Sequence, residues 1–136
     1  MNSPSLTRAQ ILLIKSAEDE QALRVEGLSD SIQGFHAQQT VEKLLKALLS
    51  QLSIDFELTH DLGRLQVALE AAGETLPSTP LEVRELNDFS VFYRYDLLFQ
   101  YAVPEREDVL ETVRLIREFV MNRIAALTAP PLLPPV

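Results

Sequence analysis

Few side chains in this sequence can move protons near neutral pH. There are two histidines, His36 and His60, and no cysteine. A serine-nucleophile set must take its base from one of those histidines, and no Gly-x-Ser-x-Gly elbow accompanies them. The four glycines stand alone, so no glycine-rich loop is present to cradle a phosphate. Glu57 and His60 have the Glu-x-x-His spacing of a di-iron bundle. That chemistry needs a second such pair and two more inward glutamates. His36 has Gln33, not glutamate, three residues before it. Neither a metal nor a cofactor is therefore expected. His60-Asp61 reads instead as a helix start, where an acidic residue suits the helix dipole. The histidine there can hydrogen-bond an exposed backbone group of a neighbouring segment.

Arg94 lies between Tyr93 and Tyr95, beside Asp96. A guanidinium in that setting has three uses. It can enter a helical bundle and pair with Glu42, stack on a tyrosine, or hold a phosphate in a cleft. Pairing is the preferred reading, because a partly buried arginine needs a partner and no phosphate-binding helper is near in sequence.

These residues need elements to position them, and the stretch 35–52, FHAQQTVEKLLKALLSQL, is the central one. Val41, Leu44, Leu45, Leu48 and Leu52 recur at three- and four-residue steps, the pattern of a helix with a buried stripe. Its first half carries His36, Gln38, Gln39, Glu42 and Lys43. Residues 35, 38/39, 42 and 46 share one face. A polar end on an apolar helix must be solvated or paired with another segment.

The remaining chain reads as further helices. The first spans 4–26, capped by Ser3-Pro4, with Leu6, Ala9, Leu13 and Ala17 on its buried stripe, Ala22 and Val25 continuing it, and Gly27 ending it. Ser29 or Asp30 caps the second, which ends near Leu52. Ile54, Phe56 and Leu58 in the connector are expected over the core. Thr59 caps a third helix with Leu62, Leu65, Leu69 and Ala72 inward, closed by Gly73. Thr79-Pro80-Leu81-Glu82 has the form of a capping box for a fourth, carrying Leu81, Leu86, Phe89, Ser90 and Tyr93. Residues 95–104 look irregular. The last helix covers 105–127, with Val109, Val113, Ile116, Val120, Ile124 and Leu127 as its stripe. Arg114, Arg117 and Arg123 read as a solvated face ion-paired to Glu111 and Glu118 rather than as a basic patch.

The whole is an all-α, antiparallel up-and-down bundle of four to five helices. A single domain is expected over 1–128, with a mobile, proline-rich tail at 129–136. The length of 136 residues suits one core, and 46% hydrophobic residues suffice to fill it. A formal charge of −8 disfavours non-specific attraction to phosphate backbones. Apolar runs fall short of the ~20 residues a membrane span needs, and no signal-peptide layout opens the chain. Lack of cysteine suits a reducing cytoplasm, the expected location.

Taken in order, FHAQQTVEKLLKALL, THDLGRL and LNDFSVFYRYD resemble the HEPN domain family over about 17–126. The resemblance implies a helical bundle that commonly forms a homodimer. It also implies work beside a minimal nucleotidyltransferase in a toxin–antitoxin or defence module. Many family members are metal-independent ribonucleases using an arginine and, after four to six residues, a histidine. Arg94 matches that arginine, but Phe99, Gln100 and Tyr101 occupy the corresponding later positions. The resemblance thus implies a non-catalytic module binding a nucleotide, RNA or partner protein through Gln38, Glu42, Lys43, Arg94, Tyr95 and Asp96. The alternative is a degenerate ribonuclease using Arg94 and Tyr101.

Overall fold

A computed structural model describes residues 5–56, 58–89 and 104–129. Four α-helices and one 3₁₀ helix make up the regular structure of those residues. The chain is an all-α helical bundle, as its apolar periodicity predicts.

Helix α1 spans Arg8–Ala22. The Thr7 hydroxyl accepts the Gln10 N–H, and the Gln10 side chain accepts the Thr7 N–H. This reciprocal box satisfies two otherwise orphaned donors, so the helix starts there and is shorter than the expected 4–26. Ser3-Pro4, the expected cap, lies outside the described residues. Gly27 (φ 84°) turns the chain after the helix.

The buried face of α1 differs from the expected stripe. Ala9, Ser16 and Leu23 are buried and Leu13 packs on the core, whereas Leu6, Ala17 and Val25 are exposed. The rotation brings Asp19 to Lys43 and His36 of the next helix, and Glu20 to Arg117 near the C-terminus. Ser16 suits its buried place because its hydroxyl donates to the Leu13 carbonyl.

Helix α2 spans Asp30–Gln51, with the Ser29 hydroxyl accepting the Ile32 N–H as its cap. Ala37, Val41, Leu44, Leu45, Ala47, Leu48 and Leu49 are all essentially inaccessible. A helix buried on so many sides must be central, and α2 packs against every other described helix.

Helix α3 covers Leu62–Ala71, with Leu62, Leu65 and Leu69 inward. Its cap is Asp61, which accepts the Gly63 N–H. Thr59 sits one step earlier and accepts the Asp61 N–H, so it shapes the approach rather than capping the helix. Ala72, expected inward, is exposed beyond the helix end.

The expected fourth helix begins as a 3₁₀ helix, Val83–Asp88. Thr79 does not cap it: its hydroxyl donates to the Leu81 carbonyl, and the Glu85 carboxylate accepts the Glu82 N–H. Val83, Leu86 and Phe89 are buried. The Phe89 ring lies against Gly34 of α2 so closely that a β-carbon there would come within 2.0 Å of it. Ser90 and Tyr93 lie outside the described residues.

Helix α4 covers Arg106–Thr128. Val109, Val113, Ile116 and Val120 are buried and Ile124 packs on the core, while Leu127 is exposed. Ala129 is extended and ends the helix; the proline-rich 130–136 lies outside the described residues.

Ion pairs fix the helix directions. Asp19, late in α1, meets His36 and Lys43, early in α2, while Arg8 stacks 4.5 Å from the Phe56 ring just past α2. These helices are therefore antiparallel. Arg106, opening α4, donates to the Leu28 carbonyl and to Asp30 at the start of α2, both at 2.8 Å. Thus α4 runs with α2 and against α1.

Candidate functional site

The polar end of α2 meets two different neighbours. Residues 38, 42 and 46 are four apart and form one row. That row turns toward the segment leading into α3. Glu42 is buried, and its carboxylate gathers three donors. Gln38 Nε2 (3.3 Å) and His60 Nδ1 (2.8 Å) converge on Oε1, and Lys46 Nζ lies 3.3 Å from Oε2. Gln38, fully buried, also donates through Nε2 to the His60 carbonyl at 3.1 Å. Its own Oε1 accepts from Gln39 Nε2 at 2.7 Å. Of the two alternatives for the polar end, solvation or pairing, Gln38 and Glu42 take the second, through His60.

Lys43 and His36 project from a different side of α2, toward α1. The Lys43 ammonium binds Asp19, and His36 Nδ1 lies 3.1 Å from the other Asp19 oxygen. Lys43 therefore does not share the Glu42 network, although the two are neighbours in sequence. Lys46 and Arg8 both stand over the Phe56 ring, with Lys46 at 5.8 Å, which anchors the connector after α2.

The start of α3 is held from a third direction. Asn87 Oδ1 accepts the Leu62 N–H at 2.9 Å, and Asn87 Nδ2 donates to Asp61 at 3.0 Å. His60 is thereby fixed on both sides: its carbonyl by Gln38, and the residues after it by Asn87. Its ring is 77% exposed, while the Glu42 side chain it touches is only 5% exposed.

Sequence reasoning placed His60 at a helix start but assigned its contact to a backbone group; the ring meets the Glu42 carboxylate instead. Asp19 and Asn87 carried no legible signal, because both act on residues 17 or more positions away. Arg94, Tyr95, Asp96 and Tyr101 lie outside the described residues, as does Glu57. Among the described residues, no group of three or more His, Asp or Glu side chains is placed to hold a metal.

An open groove of about 1170 Å³ runs beside α3, bordered by Thr59, Asp61, Arg64, Pro77, Glu82 and Arg84 among others. It contains none of Gln38, Glu42 or Lys43. The chemically organised surface is the α2 network, and the groove is only its neighbour.

The arginines of α4 are engaged. Arg114 bonds Glu111 and Glu118, each at 2.8 Å at its Nε and Nη1. The Glu111 hydrogen bond raises the Arg114 pKa further, and Arg114 in turn holds the Glu111 carboxyl below its ordinary value. Arg117 binds Glu20, and Arg123 binds the buried Glu74 at 2.9 Å. Arg117 thus ties α4 to α1 and Arg123 ties it to the loop after α3, while Arg114 pairs within α4. No helix among the described residues is long and apolar enough to cross a membrane.

No curated protein and no solved structure matches the chain. The family model described as HEPN domain matches residues 15–124, from the middle of α1 to the last turns of α4. The match spans the α2 network, the His60–Asp61 cap and Asn87 alike, and the chain belongs to the HEPN domain family.

Proposed function

We propose that this protein is a non-catalytic HEPN module, binding a nucleotide or a partner protein beside a minimal nucleotidyltransferase in a toxin–antitoxin or defence-type system. One observation carries the reading: no histidine follows His60 in the sequence. Arg94 therefore lacks the histidine that the family's ribonucleases place four to six residues later. Tyr101 in that region is a weak substitute, since an unperturbed tyrosine titrates near 10. The ligand residues in this reading are Glu42, with Gln38 behind it, and Arg94, Tyr95 and Asp96; Lys43 faces α1 and binds Asp19 instead.

The module works as a homodimer in the cytoplasm, with a cleft near Arg94 and the start of α2 close to the dimer axis. The HEPN match supports the homodimer, because such domains commonly pair. The decisive experiment incubates RNA with highly purified protein and with Arg94→Ala in parallel. The expected result is no cleavage by either. Cleavage by the wild type that disappears in Arg94→Ala overturns the proposal in favour of a ribonuclease. Light scattering should give twice the chain mass of 15.3 kDa; a lone monomer at micromolar concentration removes the dimer.

A further inference from the structure

We infer that the groove beside α3 docks a short segment of a partner protein in which basic residues flank apolar ones. The groove holds neither Gln38 nor Glu42, so this surface is separate from the α2 network. Its size is the first guide. A volume of about 1170 Å³ exceeds the roughly 300–1,000 Å³ of most small-molecule pockets and suits several peptide side chains. Its apolar part is the second. Val67 on α3 is 65% exposed, and the half-buried Phe56, Leu76 and Pro77 border the same groove. Apolar side chains gathered along a groove mark an interaction surface, where a single exposed one would not.

Charge then selects the partner. Four carboxylates and two guanidinium groups border the groove. Each guanidinium group has a carboxylate of the groove beside it: Arg84 Nε lies 2.6 Å from Glu82, and Arg64 Nε lies 3.8 Å from Asp61. Asp55 and Glu70 are left without a cation among the described residues. Both are exposed, and Glu70 accepts only from the Gln66 amide, at 3.1 Å. Val67 and Glu70 are three residues apart, so an unmatched carboxylate shares a face of α3 with the exposed valine. The groove thus carries a surplus of negative charge within a chain of formal charge −8. A phosphate is repelled there, and with it a nucleotide or RNA. A lysine or arginine suits it, because the stem covers apolar side chains while the head reaches a carboxylate. Basic residues alone leave Val67 and Leu76 uncovered, and apolar residues alone leave Asp55 and Glu70 unmatched. A segment carrying both kinds meets both needs.

The test uses the full chain with nitrogen-labelled amides, followed by NMR. The probes are the blocked peptides acetyl-GKVLKG-amide, acetyl-GEVLEG-amide and acetyl-GKSSKG-amide, with spermidine as a small cation. The first peptide should shift the amides of Phe56, Val67 and Glu70 and bind about tenfold more tightly than the other probes. Asp55→Asn and Glu70→Gln, both at exposed side chains, should each weaken it about two- to fivefold. Val67→Ala should weaken it about fivefold, through lost apolar contact. Glu107→Gln, an equal loss of charge on α4 outside the groove, should leave it unchanged. Equal or tighter binding of acetyl-GEVLEG-amide overturns the inference. So does binding of acetyl-GKSSKG-amide or spermidine as tight as that of the first peptide, or a Glu107→Gln effect that matches Glu70→Gln. Shifts confined to other parts of the chain, or no shift at millimolar peptide, overturn it as well. Groove shifts on removing residues 130–136 would make the chain's own tail the occupant, and groove shifts that grow with protein concentration would make it a second copy. Either result overturns the partner segment.

Discussion

Replacing Gly34 by alanine adds a methyl group where the Phe89 ring already lies. The new β-carbon would stand 2.0 Å from Cδ1, 2.2 Å from Cε1 and 2.3 Å from Cγ of that ring. Carbon atoms in contact rest about 3.5–4 Å apart, so the ring must retreat by roughly 1.5 Å or more. Phe89 is 1% exposed, so the ring cannot move aside without disturbing the core that encloses it. Two effects then oppose each other. Alanine in a helix interior is favoured over glycine by about 0.5–1 kcal/mol. Overpacking a filled core costs about 1–3 kcal/mol, sometimes more. The second is larger, so Gly34→Ala should destabilise by about 1–2 kcal/mol net. Urea unfolding followed by circular dichroism measures it. The sharper measurement repeats the substitution in a Phe89→Ala background, which by itself should cost about 3–5 kcal/mol. With the ring gone, only the helix preference remains, and Gly34→Ala should become neutral or slightly stabilising. A Gly34→Ala protein as stable as wild type with Phe89 intact would refute the reasoning, as would a penalty that persists when the ring is absent.

Other expectations follow from single contacts. Leu48→Ala should cost about 2–5 kcal/mol in urea unfolding, because Leu48 is fully enclosed; a loss under about 0.5 kcal/mol would contradict its placement. Arg114→Ala should return the Glu111 carboxyl toward its ordinary pKa, as read by carbon-detected NMR titration. The sign follows from linkage: a depressed folded-state pKa supports stability above the unfolded value, and that support fades as pH falls through the folded value. The variant should therefore show a shallower loss of stability with acid. Finally, Glu42 and Arg94 are expected to form an ion pair at the mouth of the ligand cleft. A double-mutant cycle with alanine at each position tests this, with each single loss expected near 3–5 kcal/mol if the pair is buried. Zero coupling would leave Glu42 to its described partners alone.

The helices were legible because their apolar residues repeat every three to four positions, and that period survives folding. Their caps were less so. At three helix starts the sequence offers two hydroxyl or carboxylate residues within a few positions, and local hydrogen bonding chooses between them. Thr7 wins at α1 through Gln10, Asp61 displaces Thr59 at α3, and Thr79 turns away from the 3₁₀ helix toward Leu81. The facing of α1 was illegible for a different reason. Leu6, Ala9, Leu13 and Ala17 make one plausible stripe, while Ala9, Leu13, Ser16, Glu20 and Leu23 make another of equal period. Long-range pairs, Asp19 with Lys43 and Glu20 with Arg117, are consistent with the second. Such pairs join residues 24 and 97 positions apart, beyond any local pattern.

The candidate site shows the same division. That Glu42 must have a partner follows from one carboxylate on an apolar helix. Which partner does not follow, because His60 is 18 residues away across a connector. The chosen arrangement contains more than charge balance requires. Lys46, one turn along the same helix, already faces the Glu42 carboxylate with a cation. The exposed His60 side chain adds little buried area. What His60 gains from Glu42 is orientation: one nitrogen is committed inward, and the other is left to solvent with no described partner. Together with the Gln38 bond to the His60 carbonyl, that contact fixes the segment leading into α3 against α2.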